Sequence, residues 1–126
     1  MNMKKKILVV DDEVSLTHML KRGLEATGKY LVMEENQGNR AISTARQFKP
    51  DLVILDVMMP DVDGGDIAAE LAETKELKHI PIIFLTAIVT PAETEPTGSF
   101  IGEHTFLAKP VQLKNLISCI ETHIEV

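Results

Sequence analysis

Ile7-Leu8-Val9-Val10-Asp11-Asp12-Glu13 decides the fold: four apolar residues run without a break and stop at three acids. An uninterrupted apolar run this short is the signature of a strand buried on both faces, as in a parallel sheet. The same form recurs outward along the chain. Leu52-Val53-Ile54-Leu55 ends at Asp56, and Ile80-Pro81-Ile82-Ile83-Phe84-Leu85 ends at Thr86-Ala87. Weaker runs, Tyr30 to Met33 and Phe106 to Ala108, belong nearer the sheet edges, and the second ends at Lys109-Pro110.

Segments of helical period separate these runs. Val14, Met19, Leu20 and Leu24 line one face before Gly28, and Ala41, Ile42, Ala45 and Phe48 do so before Pro50. Ile67, Ala68 and Leu71 follow Gly64-Gly65, and Leu113, Leu116, Ile117, Ile120 and Ile124 make the cleanest stripe. Met19 and Met33 read as core filler, and Cys119, beside that last stripe, as a small, partly buried hydrophobe. Strands alternating with helices give an α/β fold: an open, doubly wound parallel sheet of five strands with helices on both faces. One unit departs from the pattern. Thr90, Pro91 and Glu93 could start a fourth helix, but Pro96 falls in its second turn, and Gly98 and Gly102 weaken the remainder. That helix is expected to be short or replaced by a mobile loop over about residues 90–103.

The 126 residues suit one domain, and no effector domain is expected within residues 1–126. Thirteen Lys and Arg against 19 Asp and Glu leave a net charge of −6, which argues against direct binding of nucleic acid or of an anionic membrane. The single cysteine cannot form an internal disulfide, and charges interrupt every apolar run before it reaches the length of a membrane span. Lys4-Lys5-Lys6 precedes too short an apolar stretch for a signal peptide. A cytoplasmic protein is expected.

Ligands of an open parallel sheet bind at the carboxyl ends of its strands. Asp11, Asp12, Asp56, Thr86 and Lys109 all stand there. Clustered carboxylates repel one another, and a hard divalent cation with oxygen ligands, Mg²⁺ above all, relieves that repulsion. With Lys109 beside them the acids could then receive a phosphoryl group. Asp56 could serve as nucleophile to form an aspartyl phosphate, with Lys109 opposing its charge and Thr86 donating to one of its oxygens. Asp61, Asp63 and Asp66 are better suited to shaping the following loop and the start of the third helix. The four histidines, His18, His79, His104 and His123, show no metal-ligand spacing among themselves.

These residues carry a resemblance over essentially the whole chain. Val9-Val10-Asp11-Asp12-Glu13, Asp56-Val57-Met58-Met59-Pro60-Asp61-Val62-Asp63-Gly64, Thr86-Ala87 and Phe106-Leu107-Ala108-Lys109-Pro110 stand in the order found in CheY-like receiver domains of two-component response regulators. The resemblance implies a flavodoxin-like sheet of order 2-1-3-4-5. It implies Asp56 as phosphoacceptor, supplied by a histidine kinase or phosphotransfer protein, with Mg²⁺ held by Asp11, Asp12, Asp56 and the Met58 backbone carbonyl. It implies Lys109 paired with the phosphoryl group, a cis bond to Pro110, and Thr86 with Phe106 as the switch pair. Met58 and Ile88 would flank the path of hydrolytic water, and both are apolar, which implies slow self-dephosphorylation. The chain would then be no enzyme beyond its own phosphorylation and dephosphorylation. Its output would be a downstream protein target or an effector in the same protein, with a homodimer left open.

Three other readings compete. A phosphatase of the haloacid dehalogenase type needs a second Asp two residues past the nucleophile, where Met58 stands. A flavin carrier needs a phosphate loop after the first strand, where Asp11-Asp12 would repel it. The stronger rival is a receiver-like interaction module working without phosphorylation, kept open by the damaged fourth helix.

Overall fold

The computed structural model describes residues 3–87, 99–101 and 104–124. Within them β1 (Lys5–Val10), α1 (Val14–Ala26), β2 (Tyr30–Glu35), α2 (Ala41–Phe48), β3 (Leu52–Asp56), α3 (Gly64–Glu73), β4 (Ile82–Thr86), β5 (Ser99–Ile101), β6 (His104–Ala108) and α4 (Leu113–His123) follow one another. A single 3₁₀ turn, Gly38–Arg40, leads into α2. The sheet order is β2-β1-β3-β4-β6-β5. Its five parallel strands stand in the expected 2-1-3-4-5 order, β6 being the fifth.

β5 is a departure from the sequence reading. Part of the stretch expected as loop pairs antiparallel with β6, Ser99 opposite Phe106 and Ile101 opposite His104, so β6 is an interior strand. Ser99-Phe100-Ile101 is too short to show a period, and Gly98 and Gly102 on either side read as loop. The expected cap at Thr90, the break at Pro96 and the position of Ile88 lie outside the described residues.

Alternation within the buried strands divides the core in two. Ile7, Val9, Leu52, Ile54, Ile83 and Leu85 face Leu20 and Leu24 of α1 and Leu116 and Ile120 of α4. Leu8, Val10, Val53, Leu55 and Phe84 face Ala41 and Ala45 of α2 and Ile67, Ala68 and Leu71 of α3. Such two-sided burial is why these runs are apolar at every position.

The α1 stripe differs from expectation. Its buried residues are Thr17, Leu20 and Leu24, whereas Val14 is 61% and Met19 51% exposed. Spacing explains the difference: Met19 lies about 200° around the helix from Thr17, while Leu20 and Leu24 share its side. Met33 is also exposed, on the outermost strand, and Cys119 is wholly buried. Neither Met19 nor Met33 is core filler.

The ladder explains how β2 meets solvent. Lys5 N–H donates to Lys29 O (3.0 Å) and Asp11 N–H to Glu35 O (3.1 Å), so the odd residues of β2 turn their peptide groups to β1. The Val32 N–H therefore faces outward, where it donates to Glu25 Oε2 of α1 at 3.0 Å. Among the described residues no helix is long and apolar enough to cross a membrane.

Candidate functional site

Each site residue is delivered by the end of a strand. β1 ends at Val10, and the chain turns through Asp11-Asp12-Glu13 into α1, with Glu13 N–H donating to Asp11 Oδ1 at 2.9 Å. The Asp11 peptide groups are held from β2: its N–H donates to Glu35 O, and its carbonyl accepts from Asn36 Nδ2 at 2.8 Å. Asp56 is the last residue of β3, and Val57 N–H ties that strand end to Leu85 O of β4 (3.0 Å). Thr86 closes β4, and its carbonyl accepts from Lys109 N–H at 2.9 Å, so hydroxyl and ammonium share one backbone link. The Lys109–Pro110 peptide is cis.

The structure brings Asp11, Asp12 and Asp56 together, with one carboxylate oxygen from each within 4.8 Å of the others. Asp11 and Asp56 are buried and Asp12 is exposed, so the cluster opens to solvent on one side. Lys109 Nζ lies 2.8 Å from Asp11 Oδ2 and 3.3 Å from Asp56 Oδ1. Asp11 Oδ2 is buried, and the Lys109 ammonium 2.8 Å away is its ion-pair partner.

The electrostatics follow from burial and crowding. Burial raises the Asp56 carboxyl above its ordinary pKa and the Asp11 charge adds to the rise, against the opposing pull of Lys109 and the Met58 N–H. Burial alone would lower the Lys109 ammonium, but the Asp11 and Asp56 carboxylates outweigh it and hold its pKa above the usual lysine value. Three carboxylates against one ammonium leave two negative charges in the cluster. A hard divalent cation matches that excess in charge and in preferred donor. The carboxylates of Asp11, Asp12 and Asp56 are therefore a set that could hold a metal ion.

The loop after β3 is packed tightly. Met58 N–H lies 3.4 Å from Asp56 Oδ1, and the Met58 side chain is 65% exposed. Met58 forms an antiparallel bridge with Asp63, in which Gly64 N–H donates to Val57 O at 2.8 Å and the Met58 carbonyl takes no part. Asp63 caps α3 by accepting from Gly65 N–H (2.7 Å), and Asp61 Oδ2 accepts from Asn39 N–H (3.0 Å). With Asp66 in the first turn of α3, these three acids serve the loop and the helix start, as their positions suggested.

Phe106 lies in β6 opposite Phe84 of β4, their rings stacked with centroids 5.0 Å apart. It is half-buried against the α2–α3 side of the core. His123 bonds to Thr105 Oγ1 and the Cys119 carbonyl, and His18 and His79 are exposed. Sequence reasoning missed Thr17 and Asn36, which bond to each other beneath Asp11. A polar residue in register with Leu20 and Leu24 was the available signal for Thr17. Asn36, after a weak strand, carried none.

Comparison with known proteins agrees with this geometry. The pattern described as the response regulator receiver domain matches residues 7–121. The chain is 41% identical over 113 residues to a probable transcriptional regulator, ycf27, of Cyanophora paradoxa, covering 90% of this chain but 45% of that protein. It thus spans less than half the length of several curated relatives that it matches. The polar-differentiation response regulator DivK of Brucella anthropi is 28% identical over 97% of this chain and 98% of its own length. The crystallised chemotaxis protein CheY4 of Vibrio cholerae superposes with a TM-score of 0.82 at 27% identity, covering 97% of this chain and all of the other. A sheet of this order, acids and an ammonium at its strand ends, and a match over nearly the full length lead to one assignment: the chain belongs to the response regulator receiver domain family.

Proposed function

We propose that the chain is a phosphorylation-dependent signalling switch that accepts a phosphoryl group on Asp56 from a histidine kinase or a phosphotransfer protein. The observation that carries this reading is the meeting of Asp56 with the Lys109 ammonium, 3.3 Å apart, within the Asp11-Asp12-Asp56 cluster. A carboxylate oxygen of Asp56 attacks phosphorus in line, and the bond from phosphorus to the donor nitrogen or oxygen breaks, the electron pair leaving with the donor. Lys109 is positioned to oppose the charge of the transferring group. Asp11, Asp12, Asp56 and the Met58 carbonyl would hold Mg²⁺, which supplies the positive charge that lets a dianionic group approach these acids.

Thr86, on the backbone link to Lys109, is the hydroxyl that responds to the new group, and the Phe84–Phe106 stack is the packing that the response must rearrange. Two packings of such a surface need differ by only a few kcal/mol for a local charge to choose between them. The changed surface is read by a downstream protein or by an effector in the same polypeptide. Met58, beside Asp56, shields the phosphoryl group from water and prolongs its lifetime.

Intact-mass spectrometry after incubation with a small acyl phosphate tests this reading. A Mg²⁺-dependent gain of one phosphoryl group, absent in Asp56→Asn, is expected. An equal gain in the variant, or none in the wild type even with a cognate kinase, overturns it.

A further inference from the structure

Asp11 and Asp12 share a peptide unit, and the orientation of that unit sets how the two carboxylates stand to each other. Its carbonyl, Asp11 O, accepts from Asn36 Nδ2 at 2.8 Å. The same amide nitrogen donates to Thr17 Oγ1 at 2.9 Å, so both of its N–H groups are engaged. Thr17 is wholly buried, and its hydroxyl donates to Glu34 Oε1 at 2.8 Å, with the Val14 carbonyl a second acceptor at 3.1 Å. The Asp11 carbonyl can only accept, so the Asn36 amide must face it with its nitrogen. Turning the Asn36 amide over would set its oxygen against the Asp11 carbonyl and strip Thr17 of its donor. The chain ends on a carboxylate outside the cluster, which strengthens every bond leading to it.

We infer that Asn36, anchored by Thr17 and Glu34, is a positioning residue that holds the Asp11–Asp12 peptide and thereby sets the affinity of the acid cluster for its divalent cation. This rests on the proposed function above. None of the three residues contributes an atom to the cluster. All act through the backbone of Asp11, whose N–H is already fixed on Glu35 O and whose Oδ1 takes the Glu13 N–H. Removing the Asn36 bond leaves the carbonyl side of the peptide unheld, and both carboxylates lose a fixed direction. Outer partners of this kind typically alter metal affinity by about 10–100-fold when lost.

The test compares the full chain with Asn36→Leu, which keeps the bulk and removes the donor. Mg²⁺ titration by calorimetry should show a dissociation constant raised by about tenfold. The phosphorylation rate at saturating Mg²⁺ should return to within about threefold of wild type, since no reacting group has been removed. In the metal-free protein the Glu13 amide should exchange with solvent by about tenfold faster, while amides in the body of α1 keep their protection. Thr17→Val, which leaves the Asn36–Asp11 bond but frees its anchor, should give a smaller shift in the same direction and serves if Asn36→Leu does not fold. A folded variant whose Mg²⁺ affinity and Glu13 exchange match wild type overturns the inference while the phosphoryl-switch reading stands. Absence of Mg²⁺ binding by the wild-type chain overturns both.

Discussion

Gly64→Ala should damage the site from the far side of the loop. Gly64 opens α3, and a Cβ built there would collide with the Asp56 carbonyl oxygen while lying 2.9 Å from Val57 Cα and 3.1 Å from Asp56 C. All three are backbone atoms, so no side chain can swing aside. Relief requires the first turn of α3 to retreat from the end of β3 by about 1 Å, the shortfall from ordinary van der Waals contact. The retreat strains the Gly64 N–H bond to Val57 O and the Met58–Asp63 bridge, which together shape the chain leaving Asp56. Overpacking of this kind costs about 1–3 kcal/mol, which lowers the melting temperature of a domain this size by roughly 4–12 °C. If Asp56 accepts the phosphoryl group as proposed, displacing it by a fraction of that distance should slow phosphorylation by about 10–100-fold. Gly65→Ala is the internal control. Its Cβ would meet only Asp63 Oδ1, at 3.2 Å, and alanine is the better helix former. Calorimetric melting and phosphorylation kinetics on the pair measure both effects. If Gly64→Ala matches wild type in both, close approach of α3 does not set the position of Asp56.

Four further outcomes are expected. Asp56→Asn removes one of three crowded carboxylates and should raise the metal-free melting temperature by a few degrees, about 1 kcal/mol, while reducing the stabilisation that added Mg²⁺ gives; thermal melts with and without Mg²⁺ check both. The Tyr30 hydroxyl is buried with no hydrogen-bond partner among the described residues, so Tyr30→Phe should be neutral or stabilising by up to about 1 kcal/mol in urea unfolding. Burial pushes the Cys119 thiol from 9.0 up to about 11, so stability should fall as pH rises through that window, where the unfolded thiol ionises first, and Cys119→Ala should flatten the loss. Met58→Asn should shorten the lifetime of the phosphorylated form, followed by mass spectrometry; unchanged decay refutes the shielding role of Met58.

The sheet was legible because burial on both faces leaves an unbroken apolar run, and the acids and the lysine were legible because each interrupts or ends such a run. Thr86 was legible only as the end of an apolar run and Phe106 only through the resemblance; the register adds that Thr86 lies opposite Ala108 and Phe106 opposite Phe84. The α1 stripe was misread at Met19 because apolar residues also occupy an exposed face, while polar Thr17 holds the buried one. Periodicity tracks hydrophobicity, and a buried hydroxyl engaged in hydrogen bonds is invisible to it. Asn36 escaped notice for a related reason: its partners lie 25 and 19 residues away. β5 escaped notice because three residues between glycines carry no period.

The carboxylate of Glu25 on the outward N–H of Val32 gives the sheet a guarded margin. A foreign strand laid along β2 would have to bring a backbone carbonyl to that N–H, and it would meet a negative charge already seated there. At the other margin β5 runs antiparallel along β6 and covers the flank that a parallel neighbour would otherwise use. One outward N–H of β2 and the outer flank of β6 are thus engaged by the chain itself. The charge sits beside exposed Leu31 and Met33, where an apolar edge strand is most in need of such a guard.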